Sequence, residues 1–413
     1  MVKRRVVVTG LGAVTPIGNN VKDVWESIEG SQSGITRITK FDASSYASQI
    51  AGEVKKFNAT DHLNVKDIRR TDTFIHFGLV AGMEALNDAG IGKHPNYAER
   101  IGVYIGSGIG GLPLIEATHT LNTSAGPKKI SPFFIPGSII NMIAGNLSIE
   151  FGFKGPNLAI STACTTSTHC IGESFRTIQY NDADVMVCGG SESTICDLGV
   201  GGFSAARALS TRNDDPQSAS RPWDSGRDGF VLGEGSGILV LEELEHAKKR
   251  NARIYCELVG YGTSSDAYHI TAPNETGEGA VRCMKNALNN GSVNVDQIDY
   301  INAHGTSTPL GDIAETNAIK ETFGDHAKKL SVSSTKSNMG HLLGAAGSVE
   351  ALISILALKN SCIPPTINLT NQDEKCDLDY TPLVPKSKKI SYCLSNSFGF
   401  GGTNGSLVFK EYQ

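Results

Sequence analysis

Three residues of this chain have the types and settings for covalent chemistry on a thioester: Cys164 in STACTTSTH, His304 in NAHGTSTPLGD and His341 in TKSNMGHLLGAAG. Each sits where an apolar, strand-like run gives way to small polar residues. Such junctions place reactive groups at strand ends, open to a cleft and backed by rigid structure. Cys164 opens a helix-like stretch with a Thr/Ser-rich first turn. The helix dipole and free backbone N–H groups are therefore expected to favour its thiolate and depress its pKa. A free cysteine taken alone is more often a small core residue; the strand–Cys–helix setting argues for reactivity. The two histidines, as neutral imidazoles, can donate hydrogen bonds to a developing enolate oxygen. Lys336 can carry charge into the same cleft, with Glu350 as its candidate partner. No metal is expected, since no nearby acid or Cys completes a ligand spacing around the histidines.

Two glycine-rich stretches accompany them. SFGFGGTNG, residues 397–405, surrounds Phe400; such a backbone can aim N–H groups at an oxyanion and can also move. GSGIGG, residues 106–111, formally matches the dinucleotide fingerprint. That fingerprint needs an acid roughly 20 residues further on, where this chain reads GPKKISPFFIP. The expectation is a loop over the cleft with Ile109 at its tip.

Positioning these groups falls to alternating strand-like and helical segments. RVVVTG, RIGVYIGSG, NLAIS, DVMVCGG, ILVLE, DYINAHG, LSVSS and YCLSNS read as strands covered on both faces. Helices are expected at 73–88 with a glycine stop at Gly90, after Cys164 through Ile171, Phe175 and Ile178, and at 345–359 through Val349, Leu352 and Leu356. The fold class is α/β. The chain also repeats itself once: RVVVTGLGAVTP pairs with IYCELVGYGTSS, IGVYIGSGIGG with DYINAHGTSTPLGD, NLAISTACTTSTHCIGESF with KLSVSSTKSNMGHLLGAAG, and DVMVCGGSES with YCLSNSFGFGG. Two similar halves follow, 1–250 with the cysteine and 251–413 with the two histidines. The junctions at Cys164 and at Lys336–His341 would be equivalent and face one cleft.

Composition narrows the class. The 413 residues suffice for a large core, and the 46 glycines cluster beside apolar runs rather than in linkers. A net charge of −5 argues against bulk nucleic-acid binding. The nine cysteines are scattered without a CxxC pair, as in a reduced protein. MVKRRVVVTGLG is too short in apolar residues for a signal segment, and no window reads as a membrane helix of roughly 20 apolar residues. A cytoplasmic protein is expected.

The motifs TACT, SRPWDSGRDGFVLGEG, NAHGTSTPLGD, GHLLGAAG and NSFGFGGTNG resemble the β-ketoacyl-acyl-carrier-protein synthases, essentially end to end. GVGGFSAARALST and RPWD look like the type II rather than the type I synthases. Thiolases carry a second cysteine where Phe400 stands, so the resemblance favours a decarboxylative condensation. It implies a thiolase-like, five-layered αβαβα fold and a homodimer, paired through the strand near 157–160. Acyl groups would arrive on the phosphopantetheine of an acyl carrier protein and move to Cys164. His304 and His341 would steady the enolate of malonyl-carrier protein, and the N–H groups of Cys164 and Phe400 the oxyanion. Thr306 and Thr308 would contact the pantetheine arm; Ile109, Phe203 and Phe400 would line or gate the acyl pocket; Asp312, Glu315 and the Lys336–Glu350 pair would brace the site. No cofactor is required. A structural monovalent cation near Asn302, Glu350 and Asn396 would follow from some relatives. Carrier docking would use Lys66, Arg69, Arg70, Lys128, Lys129 and Arg207. Thr166 and His169 depart from the expected pattern and would reshape the pocket floor. The alternatives are a type I synthase, a polyketide-type condensing enzyme, or a noncatalytic chain-length-factor-like partner; the last lacks the active-site cysteine that this chain has.

Overall fold

The computed structural model describes residues 3–413. Its first half runs β1 (Val6–Val14), α1 (Thr73–Asp88), β2 (Ile101–Gly106), α2 (Met142–Phe151), β3 (Asn157–Leu158), α3 (Thr166–Gln179), β4 (Val185–Glu192) and β5 (Gly235–Glu243). The second half repeats that order with β6 (Cys256–Ser265), α4 (Glu278–Gly291), β7 (Tyr300–Asn302), α5 (Gly311–Phe323), β8 (Ser331–Ser333), α6 (Ala346–Asn360), β9 (Tyr392–Gly399) and β10 (Thr403–Glu411). The strands line up as β3-β2-β4-β5-β1-β6-β10-β9-β7-β8. That order is a mirror about the β1–β6 joint, where Val6–Val8 pair antiparallel with Cys256–Leu258. Senses match as well: β2 is parallel to β3 and β4, and β7 is parallel to β8 and β9. The four sequence pairs of the repeat fall on β1/β6, β2/β7, β3/β8 and β4/β9.

Successive side chains of a strand point to opposite faces, and here both faces are covered. Ile238 and Val240 of β5 join an outer cluster with Phe74, Phe77 and Leu86 of α1 and Ile143 and Leu147 of α2. Leu239 and Leu241 of the same strand face inward, toward Ile171 and Phe175 of α3 and Leu352 and Ile353 of α6. In the second half, Met284 and Ala287 of α4 and Ile319 and Phe323 of α5 cover the outer face. The layers are therefore α1/α2, sheet, α3/α6, sheet, α4/α5. Residues 343–360, including α6, are long and apolar enough to cross a membrane, contrary to the sequence reading, but 89% of that window is buried. An all-round apolar helix is what a middle layer needs.

The repeated Gly-x-Gly of VTGLG and LVGYG has a packing cause. A Cβ on Gly10 or Gly12 would lie 2.2 Å from the Ala85 carbonyl oxygen or 1.9 Å from that of Ala81 on α1. On Gly260 or Gly262 it would lie 2.3 Å from the Ala287 oxygen or 2.2 Å from the Cys283 oxygen on α4. Each outer helix thus rests on bare strand backbone. Gly12→Ala is expected to destabilise the protein by about 1–3 kcal/mol through overpacking. Urea unfolding measures this, and an unchanged midpoint would contradict it.

Candidate active site

The strand ends feed one cleft. After β3 the chain enters a tight turn, Ala163–Thr165, that starts α3; after β8 a short helix, Lys336–Met339, leads through His341 to a second tight turn, Leu343–Ala345, that starts α6. Both turns begin with a non-glycine residue in the left-handed region, Ala163 at φ 50° and Leu343 at φ 49°. Such residues cost on the order of 1–3 kcal/mol each and persist where the surroundings hold them. The true counterpart of Cys164 across the repeat is therefore Gly344, with His341 on the approach to it. Small residues let the two helix starts meet: a Cβ on Gly347 would sit 2.0 Å from the Thr168 hydroxyl, and Thr168 bonds Ser397 at 2.7 Å.

The Cys164 sulfur and one ring nitrogen from each of His304 and His341 lie within 4.8 Å of one another, close enough to share one ligand atom or a metal ion. They sit in a cavity of about 710 Å³ that Ile109, Phe203, Phe400, Thr306 and Thr308 also line. His341 is 2% exposed. Its Nδ1 accepts the Leu343 N–H at 3.2 Å, so its proton sits on Nε2, which has no partner in the protein and is free to donate. Burial and the nearby Lys336 ammonium hold both imidazoles well below their ordinary value of 6.5 and keep them neutral. Neutral donors in a buried site suit an oxygen that gains negative charge.

Cys164 departs from its expectation. Burial pushes its thiol up to about 11, against the pull of Lys336 and of the Phe400 N–H. Desolvation by both halves outweighs the helix-start effect that the local sequence suggests. Alkylation of Cys164 is thus expected to keep accelerating with pH beyond the range of an ordinary thiol. Peptide-resolved iodoacetamide rates test this, and a midpoint near 8.5 would contradict it.

The bracing residues lie as follows. Glu315 accepts the N–H groups of His304 at 2.9 Å and Gly305 at 2.7 Å. Asp312 accepts the N–H of Trp223 at 2.9 Å and of Ser307 at 3.2 Å, with Arg227 at 3.5 Å. Lys336 and Glu350 form a buried ion pair. The hydroxyls of Thr306 and Thr308 are 2.9 Å apart. Phe400 packs near Phe203, with ring centres 6.5 Å apart. Its loop is tied to a neighbouring one: Gly401 donates to the Ile270 carbonyl at 2.8 Å, and Asp266 donates to the Gly402 carbonyl at 2.9 Å. Gly401 and Gly402 have φ of 85° and 72°, which only glycine adopts cheaply. Lys66, Arg69, Arg70, Lys128, Lys129 and Arg207 are all exposed, and Arg207 also lines the cavity.

One expectation needs correction. Thr166 and His169 do not line the cavity. Thr166 accepts the Thr162 N–H at 2.8 Å, and His169 bridges the Thr162 hydroxyl and the Asn404 carbonyl at 2.8 and 3.2 Å. For the cation, the set fits in part: both polar side-chain atoms of Asn302, the Ser395 hydroxyl and one Glu350 oxygen are buried without a partner. Ser395 is the register neighbour of Asn302. The Asn396 side chain faces the other way, accepting from Ser406 at 2.7 Å and donating to Glu315 at 3.3 Å.

Sequence reasoning missed Glu192. It is fully buried and fills the GSGIGG loop from inside, accepting the Ser107 hydroxyl and the N–H groups of Gly108, Ile109 and Gly110. The loop that imitates a phosphate cradle already holds an internal carboxyl group.

The family model described as beta-ketoacyl synthase, N-terminal domain, matches residues 3–247, and that described as beta-ketoacyl synthase, C-terminal domain, matches residues 255–370. Over 411 residues the chain is 57% identical to a 3-oxoacyl-(acyl-carrier-protein) synthase 2 of Coxiella burnetii, covering 100% of this chain and 99% of that protein. The same-named protein of Vibrio harveyi is 55% identical over 412 residues, with 100% and 99% covered. Among solved structures, a type II polyketide ketosynthase in complex with its acyl-carrier protein superposes with a TM-score of 0.93 at 34% identity, covering 100% of both chains. A beta-ketoacyl synthase from Burkholderia phymatum superposes with a TM-score of 0.93 at 35% identity, covering 99% of this chain and 100% of that one.

Proposed function

The chain belongs to the β-ketoacyl synthase family, and from that premise we propose that it elongates fatty acids by condensing malonyl-carrier protein with an acyl group held on Cys164. The observation that carries this is the meeting of one thiol and two neutral imidazoles within 4.8 Å. In the first half-reaction the Cys164 sulfur attacks the acyl thioester, the bond to the pantetheine sulfur breaks, and the thiol proton leaves with it. The thiol is protonated at rest, so proton loss accompanies attack, and the Lys336 charge and Phe400 N–H stabilise the developing thiolate. In the second, the bond between the malonyl carbon and CO2 breaks and its electron pair forms an enolate. His341 Nε2–H and His304 face the enolate oxygen. The enolate carbon attacks the acyl carbonyl, the carbon–sulfur bond to Cys164 breaks, the leaving thiolate takes up a proton from solvent, and a 3-oxoacyl thioester two carbons longer departs. Splitting one hard step into two is what a nucleophilic cysteine offers.

The noncatalytic reading has nothing to explain the assembled trio. The polyketide reading is supported by the structural neighbours at 34% identity, less than the 57% of the fatty-acid relative. The test is intact mass after incubation with long-chain acyl-carrier protein, with Cys164→Ala alongside. An acyl-sized gain on the unaltered protein alone, discharged by malonyl-carrier protein, is expected; no adduct on either would overturn the proposal.

The working unit is a cytoplasmic homodimer. Large apolar side chains stay on the surface at Ile115, Ile135, Ile139, Ile149 and Leu158, and β3, carrying Leu158, is the free edge of the sheet. A bare edge with apolar neighbours favours pairing with another copy. The acidic carrier docks on the exposed Lys66, Arg69, Arg70, Lys128, Lys129 and Arg207. A structural monovalent cation sits near Asn302, Glu350 and Asn396, and the buried, unpartnered oxygens of Asn302, Ser395 and Glu350 support that reading.

A further inference from the structure

One of the buried acids that the mechanism leaves unused reaches the wall of the cavity. Glu192 ends β4 and is fully buried. Its Oε1 accepts the Ser107 hydroxyl at 2.8 Å and the N–H groups of Ile109 at 3.2 Å and Gly110 at 3.4 Å. Its Oε2 accepts the Gly108 N–H at 2.8 Å and the Gly344 N–H at 3.0 Å. One carboxylate thus holds the Gly108 and Ile109 amides of the loop after β2, shares the Gly110 amide with the Ser107 hydroxyl, which accepts it at 3.0 Å, and holds one amide of the turn after His341. The two segments belong to different halves and touch only because both are glycine there: a Cβ on Gly344 would sit 2.2 Å from the Gly108 nitrogen. Four of the five partners are backbone N–H groups that can only donate, so a side chain whose oxygens accept suits them, against the burial that pushes its pKa up. Successive amides converging on an anion form a rigid nest.

The held loop carries Ile109 and the held turn carries Leu343, and both line the cavity beside Cys164 and His341. We infer that Glu192 is a positioning residue that locks the acyl passage at Ile109 to the His341 segment, so that chain-length choice and enolate stabilisation are set by one carboxylate. This rests on the condensing role of Cys164. Glutamine keeps the shape but turns an NH2 group toward N–H donors, which releases either the Ile109 loop or Gly344.

The experiment uses the full-length protein and acyl-carrier proteins of short and long chain. It measures acylation of Cys164 by mass and CO2 release from malonyl-carrier protein. Glu192→Gln is expected to change the ratio of kcat/KM between long and short donors about tenfold, on the scale of pocket discrimination. It is also expected to be non-additive with Ile109→Ala on that ratio. Ser107→Ala, which removes one donor and leaves the carboxylate, should shift the ratio less and in the same direction, and it serves where Glu192→Gln does not fold. A uniform loss of activity with the ratio unchanged in a folded variant would overturn the inference. Failure of the unaltered protein to acylate would instead strike the condensing role itself.

Discussion

His341→Ala is expected to slow CO2 release and condensation by roughly 10²–10³-fold while Cys164 still acquires an acyl group. Losing one preorganised donor to a developing oxyanion typically costs about that factor. His341 suits that role because the Leu343 N–H fixes its tautomer and leaves Nε2–H unpartnered in the cavity. Burial and Lys336 keep the ring neutral, so the hydrogen bond needs no prior proton uptake. In the proposed acyl-transfer half the oxyanion would lie instead against the N–H groups of Cys164 and Phe400, which the substitution leaves in place. The two half-reactions should therefore separate, read by adduct formation and by CO2 release. An equal loss in both would show that His341 acts on the thiol rather than on the enolate. His304→Ala should fall in the same range. The double variant should cost less than the product of the two, since both groups face one oxygen.

What the sequence makes legible here is local. Cys164, His304 and His341 announce themselves because a strand that stops at small polar residues is a pattern of a few positions. The halves show because Gly10-x-Gly12 and Gly260-x-Gly262 each need bare backbone under a helix, and that need recurs at the same place in the repeat. Effects set by distant groups stay hidden. Nothing around Glu192 in GGSESTIC foretells donors at Ser107 and Gly344, on other segments of the chain. The Cys164 environment reads as thiolate-favouring because the helix start is visible and the desolvating second half is not. The repeat aligns the Lys336–His341 junction with Cys164 by motif, whereas the paired left-handed residues Ala163 and Leu343 align Gly344 with it. The direction of the Asn396 side chain depends on the register of β9 against β7, which one strand alone does not disclose.

The second large effect concerns stability. Lys336 is 2% exposed and Glu350 3% exposed, and each is the other's counter-charge. Breaking a buried pair by removing one partner costs about 3–5 kcal/mol, but the two truncations should differ. Glu350→Ala leaves a buried ammonium with no acid in contact. Lys336→Met leaves a carboxyl that burial already pushes upward, so it can take up a proton and become neutral. Glu350→Ala is therefore expected to be the less stable variant at pH 7, by urea unfolding. Lys336→Met should gain stability relative to the unaltered protein as pH falls and the stranded carboxyl protonates. Equal midpoints at pH 7 that do not diverge with pH would contradict this. The double variant Lys336→Met/Glu350→Leu should recover much of the stability, as apolar replacements of buried pairs commonly do. Its activity should not return. Lys336 pulls down the Cys164 thiol and helps to keep both imidazoles neutral. Without it, the histidines take up protons at higher pH than before, so the acid limb of the condensation rate moves upward in pH. A stable double variant with an unshifted acid limb would mean that burial alone keeps the imidazoles neutral, and that Lys336 serves only the fold.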